Sequence, residues 1–479
     1  MTVAAQGASF FLQMASTVVL ARLLTPQDFG LIAMVTAITG FVSMFKDMGL
    51  SMATVQKAEI NHSQISTLFW INVALSLGIM LITVVLAPVI AWFYGEPRLT
   101  WITLALASAF IFGGLTVQHQ ALLRRNMRFG TLALIAIISM LVSILAAIIA
   151  ALYGAGYWSL VLRQLANAMV GMIAVWLACR WWPGLPVRRS GVRSMMAFGA
   201  NLTGFNIVGY LAQNIDNILI GKFLGAVPLG LYNRAYQLLL LPVRQINQPM
   251  EAVAIPALSR LQQEPSKFRS YYRKGLTLAV MFGMPIVAFL FVVADKVILI
   301  VLGQQWLGSV PIFRALGLAA FVGTTNSLGT GVIFVALGNV RRQFLAALVR
   351  SFFLVVAFCI GLHWGAIGVA AAYSIYSVLS RMPTVVVCFW GTCLKLADFL
   401  GSIWRAALAS AAAGACIHLL DSHVLPEANI ILRFLLNFIE YAFFYIFFWM
   451  VIPGGKNIIV DACRMLKLLK EKPVQQRAL

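Results

Sequence analysis

Apolar residues run along this chain in long blocks broken by charge, proline or glycine, without the two-residue alternation of amphipathic strands. About fourteen blocks can be drawn, at roughly 3–21, 30–50, 67–93, 99–121, 130–152, 157–180, 197–220, 228–256, 276–302, 311–336, 344–363, 366–390, 403–420 and 430–452. Each approaches the ~20 residues that a helix needs to cross a bilayer. In hydrocarbon every backbone polar group must find a partner within the protein, which helices supply and open sheet edges do not. The ten-residue alternation of a membrane β-barrel is also missing. The pattern predicts an all-α polytopic membrane protein of about 14 transmembrane helices.

The polar positions inside these blocks are organised. In the seventh, Asn206, Tyr210, Gln213 and Asn217 fall on one helical face, with Asp216 beside it near the outer end. In the eighth, Arg234, Gln237, Arg244, Gln248 and Glu251 share a face, with a kink expected at Pro242. The first block repeats the theme with Gln6, Gln13 and Thr17. Charge at membrane depth costs several kcal/mol unless it is paired or wet. Two readings follow. The stripes can act as interhelical glue, with Arg234 paired to Asp216 and Arg244 to Glu251. Alternatively they line a water-filled cavity, and five polar positions on one face favour this. Amides and hydroxyls suit a polyhydroxylated solute, and the planar fork of arginine suits phosphate or carboxylate. The expected cavity residues are Gln13, Arg163, Asn206, Gln213, Asn217, Arg234, Gln237, Arg244, Gln248 and Arg350. Asp216 and Glu251 are candidates for ion coupling.

Composition agrees with lipid as the solvent: 61% of the 479 residues are hydrophobic and 10% are charged, against about a quarter charged in soluble domains. The net charge of +21 would suit nucleic acid, but its distribution argues otherwise. With the N-terminus placed in the cytoplasm, the outer segments hold only Arg22, Arg98, Lys222 and Lys296, and most of the other basic residues fall in cytoplasmic segments. The positive-inside bias therefore absorbs the excess. Both termini are expected in the cytoplasm, with the basic loops touching anionic lipid and no nucleic acid bound. The Arg124, Arg125 and Arg128 cluster reads as a topology signal, and 260–274 as a solvated loop or surface helix. Trp92, Tyr94, Trp101, Trp181 and Trp182 read as interface anchors.

The six cysteines (Cys179, Cys359, Cys388, Cys393, Cys416 and Cys463) form no C-x-x-C pair and read as small buried thiols. The five histidines have no metal-ligand spacing, and no phosphate-binding loop or nucleophile elbow occurs. No catalytic residue, metal or cofactor is expected: the chain reads as a transporter and not an enzyme.

The chain also repeats at an offset of about 200 residues. The segment 20–38, LARLLTPQDFGLIAMVTAI, aligns without gaps on 220–238, IGKFLGAVPLGLYNRAYQL. Arg22 falls on Lys222, Leu24 on Leu224 and Gly30 on Gly230. A second match pairs YGAGYWSL at 153–160 with HWGAIGVA at 363–370. A unit of six spans, an even number, gives both copies the same polarity, so two facing six-helix bundles would enclose a central cavity. The expected organisation is one bundle at 1–190, a second at 191–395, two additional transmembrane helices at 396–455, and a cytoplasmic tail at 456–479.

The stretch VVLARLLTPQDFGLIAMV, followed by DMGLSMATVQKAEINHSQISTLFWINVALSLG, resembles the first spans of bacterial Wzx-type oligosaccharide flippases, members of the polysaccharide transporter family in the MOP exporter superfamily. The segment NIDNILIGKFLGAVPLGLYNRAYQLLLLPVRQINQPMEAVAIPALSRLQ resembles the opening of their second bundle, and VLGQQWLGSVPIFRALGL and ALGNVRRQFL fit as well. The likeness spans most of 10–400. It implies a fold related to multidrug and toxin (MATE) exporters. It also implies a flippase for an undecaprenyl-pyrophosphate-linked oligosaccharide in a bacterial inner membrane, serving exopolysaccharide, capsule or O-antigen synthesis beside a polymerase and glycosyltransferases. Family members carry a polar stretch ahead of the first helix, so a shortened start is expected here. A MATE-like cation-coupled small-molecule exporter and a lipid II flippase are the alternatives of similar fold. A membrane glycosyltransferase or polymerase would show acidic catalytic residues or large outer loops.

Overall fold

The computed structural model describes residues 3–45, 50–56, 60–187, 209–210, 213–421 and 429–455, and among these every regular element is helical. In chain order the α-helices are α1 (Val3–Leu23), α2 (Pro26–Ser43), α3 (Leu50–Gln56), α4 (His62–Tyr94), α5 (Arg98–Ala107), α6 (Ala109–Arg125), α7 (Phe129–Leu152), α8 (Trp158–Cys179) and α9 (213–224). They continue with α10 (Ala226–Arg260), α11 (Pro265–Val292), α12 (Ala294–Val301), α13 (Val310–Gly323), α14 (Val332–Ala336), α15 (Val340–Gly361), α16 (Gly365–Leu379), α17 (Arg381–Phe389), α18 (Leu396–Asp421) and α19 (Ile430–Val451).

Local chemistry sets the boundaries. Thr25 and Asp28 form a reciprocal capping box at the start of α2, with Thr25 N donating to Asp28 Oδ2 at 2.9 Å and Pro26 opening the first turn. Asn61 and Gln64 repeat the device at α4. Gly95, left-handed at φ 71°, then ends that 33-residue helix. A turn of π-helix at Ser327–Gly331 separates α13 from α14.

Nine helical stretches among the described residues are long and apolar enough to span a bilayer. One of them, Arg341–Phe389, runs through α15, α16 and α17. The expected block at 228–256 is a single helix, α10, of 35 residues and about 52 Å, but it is not among the nine because its polar face and three internal prolines replace apolar residues. The expected block at 99–121 is broken at Ser108. Segment 260–274 is no free loop: the chain turns within four residues and Pro265 starts α11. Most of 197–212 and the tail beyond 455 lie outside the described residues.

The chain forms two units. The first comprises residues 1–233, 301–308 and 358–369; its buried core includes Leu31, Val35, Leu68, Phe69, Ile102 and Leu123. α7 and α8 approach closely where a Cβ on Gly171 would lie 3.4 Å from Ser139 Oγ, the small-residue contact typical of helices in lipid. The second comprises 234–300, 309–357 and 370–479. Its core joins Phe268, Tyr272 and Val280 of α11 with Phe399, Ala406 and Ala409 of α18 and Trp449 of α19. Many large apolar side chains point outward instead, such as Val85 (72% exposed) and Phe352 (66%), as a lipid-facing surface requires.

Three smaller expectations change. Trp92, Trp101 and Trp182 are exposed as interface anchors should be, but Tyr94 is buried and Trp181 packs edge-on against His119 at 5.2 Å. Residues 182–187 are strapped along α4, with Trp70 Nε1 donating to Gly184 O at 2.9 Å and Gly184 N to Ser66 Oγ at 2.9 Å. Of the cysteines, only Cys388 is fully buried among the described residues, while Cys359 and Cys393 are exposed.

Candidate functional site

In the first unit, Gln13 is exposed on α1, and its carbonyl accepts from Thr17 Oγ1 at 2.8 Å. The face expected to carry Asn206 begins outside the described residues, as does the side chain of Gln6. From Tyr210 onward it is visible: Tyr210 Oη donates to the Thr36 and Ala37 carbonyls within α2, each at 3.1 Å. Gln213 is exposed and Asn217 half-buried. Asp216 is buried; Tyr232 Oη donates to its Oδ2 at 2.9 Å, and the Asn217 backbone N–H donates to its Oδ1 at 2.8 Å. Asn233 Nδ2 donates to Asn217 Oδ1 at 3.1 Å, tying α9 to α10. The acid is thus held by neutral donors. Arg163, half-buried on α8, has no ion-pair partner among the described residues.

In the second unit, Arg234 is half-buried and its Nη1 donates to Gln237 Oε1 at 3.2 Å, one turn along the same face. Gln237, Arg244 and Gln248 are exposed, and Glu251 is half-buried. Arg244 and Glu251 form no ion pair with each other among the described residues. Arg350 is also exposed, on α15, where Tyr376 Oη donates to its backbone carbonyl at 2.6 Å. Arg244 stands eighteen residues into the 35-residue α10 and Arg350 ten residues into the 22-residue α15, which puts both near mid-helix.

The site reading did not single out Arg381, the most enclosed arginine described, at 6% exposure. Its Nη1 donates to Asn326 Oδ1 at 2.6 Å, its Nη2 to the Thr325 carbonyl, and its guanidinium lies 5.4 Å from the Phe399 ring centre. Tyr272 Oη caps the Gly329 carbonyl at 3.2 Å and Cys388 Sγ the Thr330 carbonyl at 3.6 Å. Three side chains thus attend carbonyls around the π turn, a place where helices commonly serve function. Asp398 was also passed over: it is 3% exposed and takes Arg269 Nε at 2.7 Å, joining the starts of α11 and α18. A lone acid among basic inner-loop residues was the only signal in the sequence. No cluster of three metal-ligating side chains occurs among the described residues.

Among the described residues every regular element is helical, and Arg244 and Arg350 are exposed near mid-helix without acidic partners, an arrangement that can receive an anion. Residues 19–311 match the family model described as polysaccharide biosynthesis protein. The chain belongs to that family. It is 29% identical over 384 residues to the teichuronic acid biosynthesis protein TuaB of Bacillus subtilis (strain 168), covering 78% of each chain. It is 26% identical over 392 residues to the lipopolysaccharide biosynthesis protein WzxC of Escherichia coli (strain K12), covering 81% of this chain and 78% of that one. Its fold is that of the lipid II flippase MurJ in its inward closed conformation, with a TM-score of 0.75 at 16% identity over 94% of this chain and 98% of that one. An inward-facing multidrug resistance MATE transporter of the MOP superfamily follows at 0.58 and 15%, over 81% and 96%. The expected family and its relation to MATE exporters are therefore borne out.

Proposed function

We propose that this chain is a flippase that carries an undecaprenyl-pyrophosphate-linked oligosaccharide repeat across a bacterial inner membrane for the synthesis of a surface polysaccharide. Membership of the family and the names of its sequence relatives support the substrate class. The observation that carries the mechanism is the pair Arg244 and Arg350: exposed, mid-helix and without ion-pair partners among the described residues. A guanidinium facing hydrocarbon would cost several kcal/mol, so these side chains meet water, and the passage that holds the water can admit a sugar-phosphate headgroup.

Transport then needs no covalent step. The headgroup enters from the cytoplasmic side and the prenyl chain stays in lipid. Arg163, Arg234, Arg244 and Arg350 replace the water lost by the pyrophosphate with charge-assisted hydrogen bonds. Gln13, Asn206, Gln213, Asn217, Gln237 and Gln248 exchange hydrogen bonds with sugar hydroxyls, and alternating access releases the load outside. Asp216, held only by neutral donors, and Glu251 are the groups that would couple the cycle to a cation gradient. Two parallel six-helix bundles, cytoplasmic termini, and delivery from glycosyltransferases to a polymerase belong to the same proposal.

The fold likeness to MurJ keeps lipid II as the competing cargo. Deleting the gene and weighing the lipid-linked saccharides that accumulate separates the two. Build-up of a peptide-free oligosaccharide repeat supports the proposal; accumulation of lipid II, or of nothing, refutes it.

A further inference from the structure

Two helix crossings in the first unit answer each other across the 200-residue offset. A Cβ placed on Gly30 would fall on the backbone carbonyl oxygen of Ala226, and one placed on Gly230 would fall on that of Pro26, which is 200 positions before Ala226. The Gly230 position also lies 3.2 Å from Gly30 N. The starts of α2 and α10 are thus pressed together backbone to backbone, a contact only glycine permits. A second reciprocity surrounds it. At the end of α1, the Ala21 carbonyl accepts from Trp306 Nε1 at 2.8 Å and Gln305 Nε2 at 2.6 Å, and Gln305 reaches the Leu24 carbonyl at 3.0 Å. At the end of α9, Gly221, the counterpart of Ala21, leaves 2.8 Å between its absent Cβ and the Tyr94 ring, and Lys222 donates to the Phe93 carbonyl. Each hairpin end is therefore gripped by the residues that follow a different span: 303–306 grip α1 and 93–94 grip α9. The basic residues here (Arg22, Arg98 and Lys222) are those the charge distribution assigns to the outer side.

We propose that these paired contacts are the outer closure of the transport path: a two-fold clasp that is shut in this structure and must part at both crossings for the headgroup to leave. The inference rests on the flippase reading and names the part of the cycle that the arginines do not explain. Gly30 and Gly230 let the closed state form, because a side chain at either would hold α2 and α10 apart. Gln305 and Trp306 latch one side and Tyr94 and Lys222 the other. The bonds of Gln305, Trp306 and Lys222 go to helix-end carbonyls that water can satisfy once the clasp opens, so opening orphans none of these carbonyls.

The test uses a cysteine-free background. A Cβ on Gly303 would lie 3.7 Å from Cγ of Arg22, across the α1 crossing, so Arg22→Cys with Gly303→Cys can be oxidised to close the clasp covalently. Export of the lipid-linked repeat should stop on oxidation and return with dithiothreitol, while each single variant exports in both conditions. Unchanged export with the disulfide formed, seen as a reductant-sensitive gel shift, would overturn the proposal. A second arm needs no transport assay. Ala21→Cys, buried under Trp306, should resist a membrane-impermeant maleimide on whole cells and become reactive when combined with Gly230→Val. Equal labelling with and without Gly230→Val would overturn it as well. If the wild type moves no such glycolipid, the flippase reading falls while the labelling arm still decides the clasp.

Discussion

Arg244→Ala separates the transport role from a structural one, because the side chain makes no hydrogen bond or ion pair among the described residues. It is exposed between Pro242 and Pro249 on α10, with no ion pair to Glu251 among the described residues. Substitutions at such positions change stability by no more than about 0.5 kcal/mol. If the guanidinium binds the pyrophosphate, its loss removes a charge-assisted bond worth about 1.5–3 kcal/mol, which is roughly a 10- to 150-fold drop in the strength with which the headgroup is held. Arg244→Lys keeps the charge without the bidentate fork and should fall between. The assay is surface polysaccharide and accumulated lipid-linked repeat in cells carrying the variant as sole copy, with thermal unfolding in detergent as the control. Arg381→Ala is the contrast: it strands Asn326 Oδ1 and the Thr325 carbonyl beside the π turn, at about 1–3 kcal/mol for each orphaned partner, and should lower the unfolding temperature. Export at the wild-type rate by Arg244→Ala, or a loss of stability as large as that of Arg381→Ala, would refute the reasoning.

Further outcomes can be measured in the same system. Trp306→Phe should cost about 1 kcal/mol for the bond to Ala21, and Trp306→Ala about 3–5 kcal/mol for the lost ring, which is 0% exposed; equal unfolding temperatures for the two would contradict the buried site. Asp398→Asn weakens the ion pair to Arg269 at 2.7 Å and should destabilise by about 1–3 kcal/mol, an effect that shrinks on an Arg269→Gln background, where Arg273 at 3.9 Å remains. Asp216→Asn keeps an oxygen for the Asn217 N–H and can donate its amide to Tyr232 Oη in place of accepting from it, so it should fold normally, yet make export insensitive to collapse of the coupling gradient; sensitivity retained would remove Asp216 from ion coupling. Outside the membrane, the hydrogen bond from Arg98 at 2.8 Å holds the Glu96 carboxyl below the usual carboxylate range. Its contribution is full above the ordinary carboxylate pKa and fades as pH falls through the lowered one. With both partners partly exposed it is worth no more than about 1 kcal/mol, so Glu96→Gln should shift unfolding slightly at pH 7 and not at all in strong acid.

Apolar blocks announced most of the fold because lipid imposes one rule on every span: length and greasiness without backbone exposure. That rule places α7 and α19 to within a residue or two of their expected bounds. It fails where tertiary packing outweighs hydropathy. Tyr94 looked like an interface anchor but is buried against Gly221, because α9 brings a glycine to that ring. Segment 260–274 read as a solvated loop or surface helix, and from Pro265 it is a largely exposed helix, yet Arg269 has a buried partner 129 residues away that no local pattern could reveal. The polar stripe of α10 was legible from spacing alone. The pairing of Arg381 with neutral oxygens was not, since Asn326 and Thr325 carry no charge to mark them.

That difference between arginines bears on function more than their number does. A guanidinium inside a membrane protein persists in one of two ways. It can be enclosed and held by neighbours, as at Arg381, whose Nη atoms go to Asn326 and Thr325 and whose plane lies against the Phe399 ring while Nε is buried without a hydrogen bond. Or it can be exposed, as at Arg244 and Arg350, where water would have to solvate it. An enclosed arginine fixes the helices around it and gains nothing from a passing anion. An open one in mid-helix contributes nothing to folding that a glutamine would not supply, and it carries the desolvation risk whenever the water leaves. Such a residue is best explained by a ligand that takes the water's place, and a doubly charged phosphate ester on a lipid too long to leave the bilayer fits the requirement. Replacing Arg350 with glutamine should then impair export while leaving unfolding unchanged, and a stable, fully active Arg350→Gln protein would return that residue to the class of tolerated surface charges.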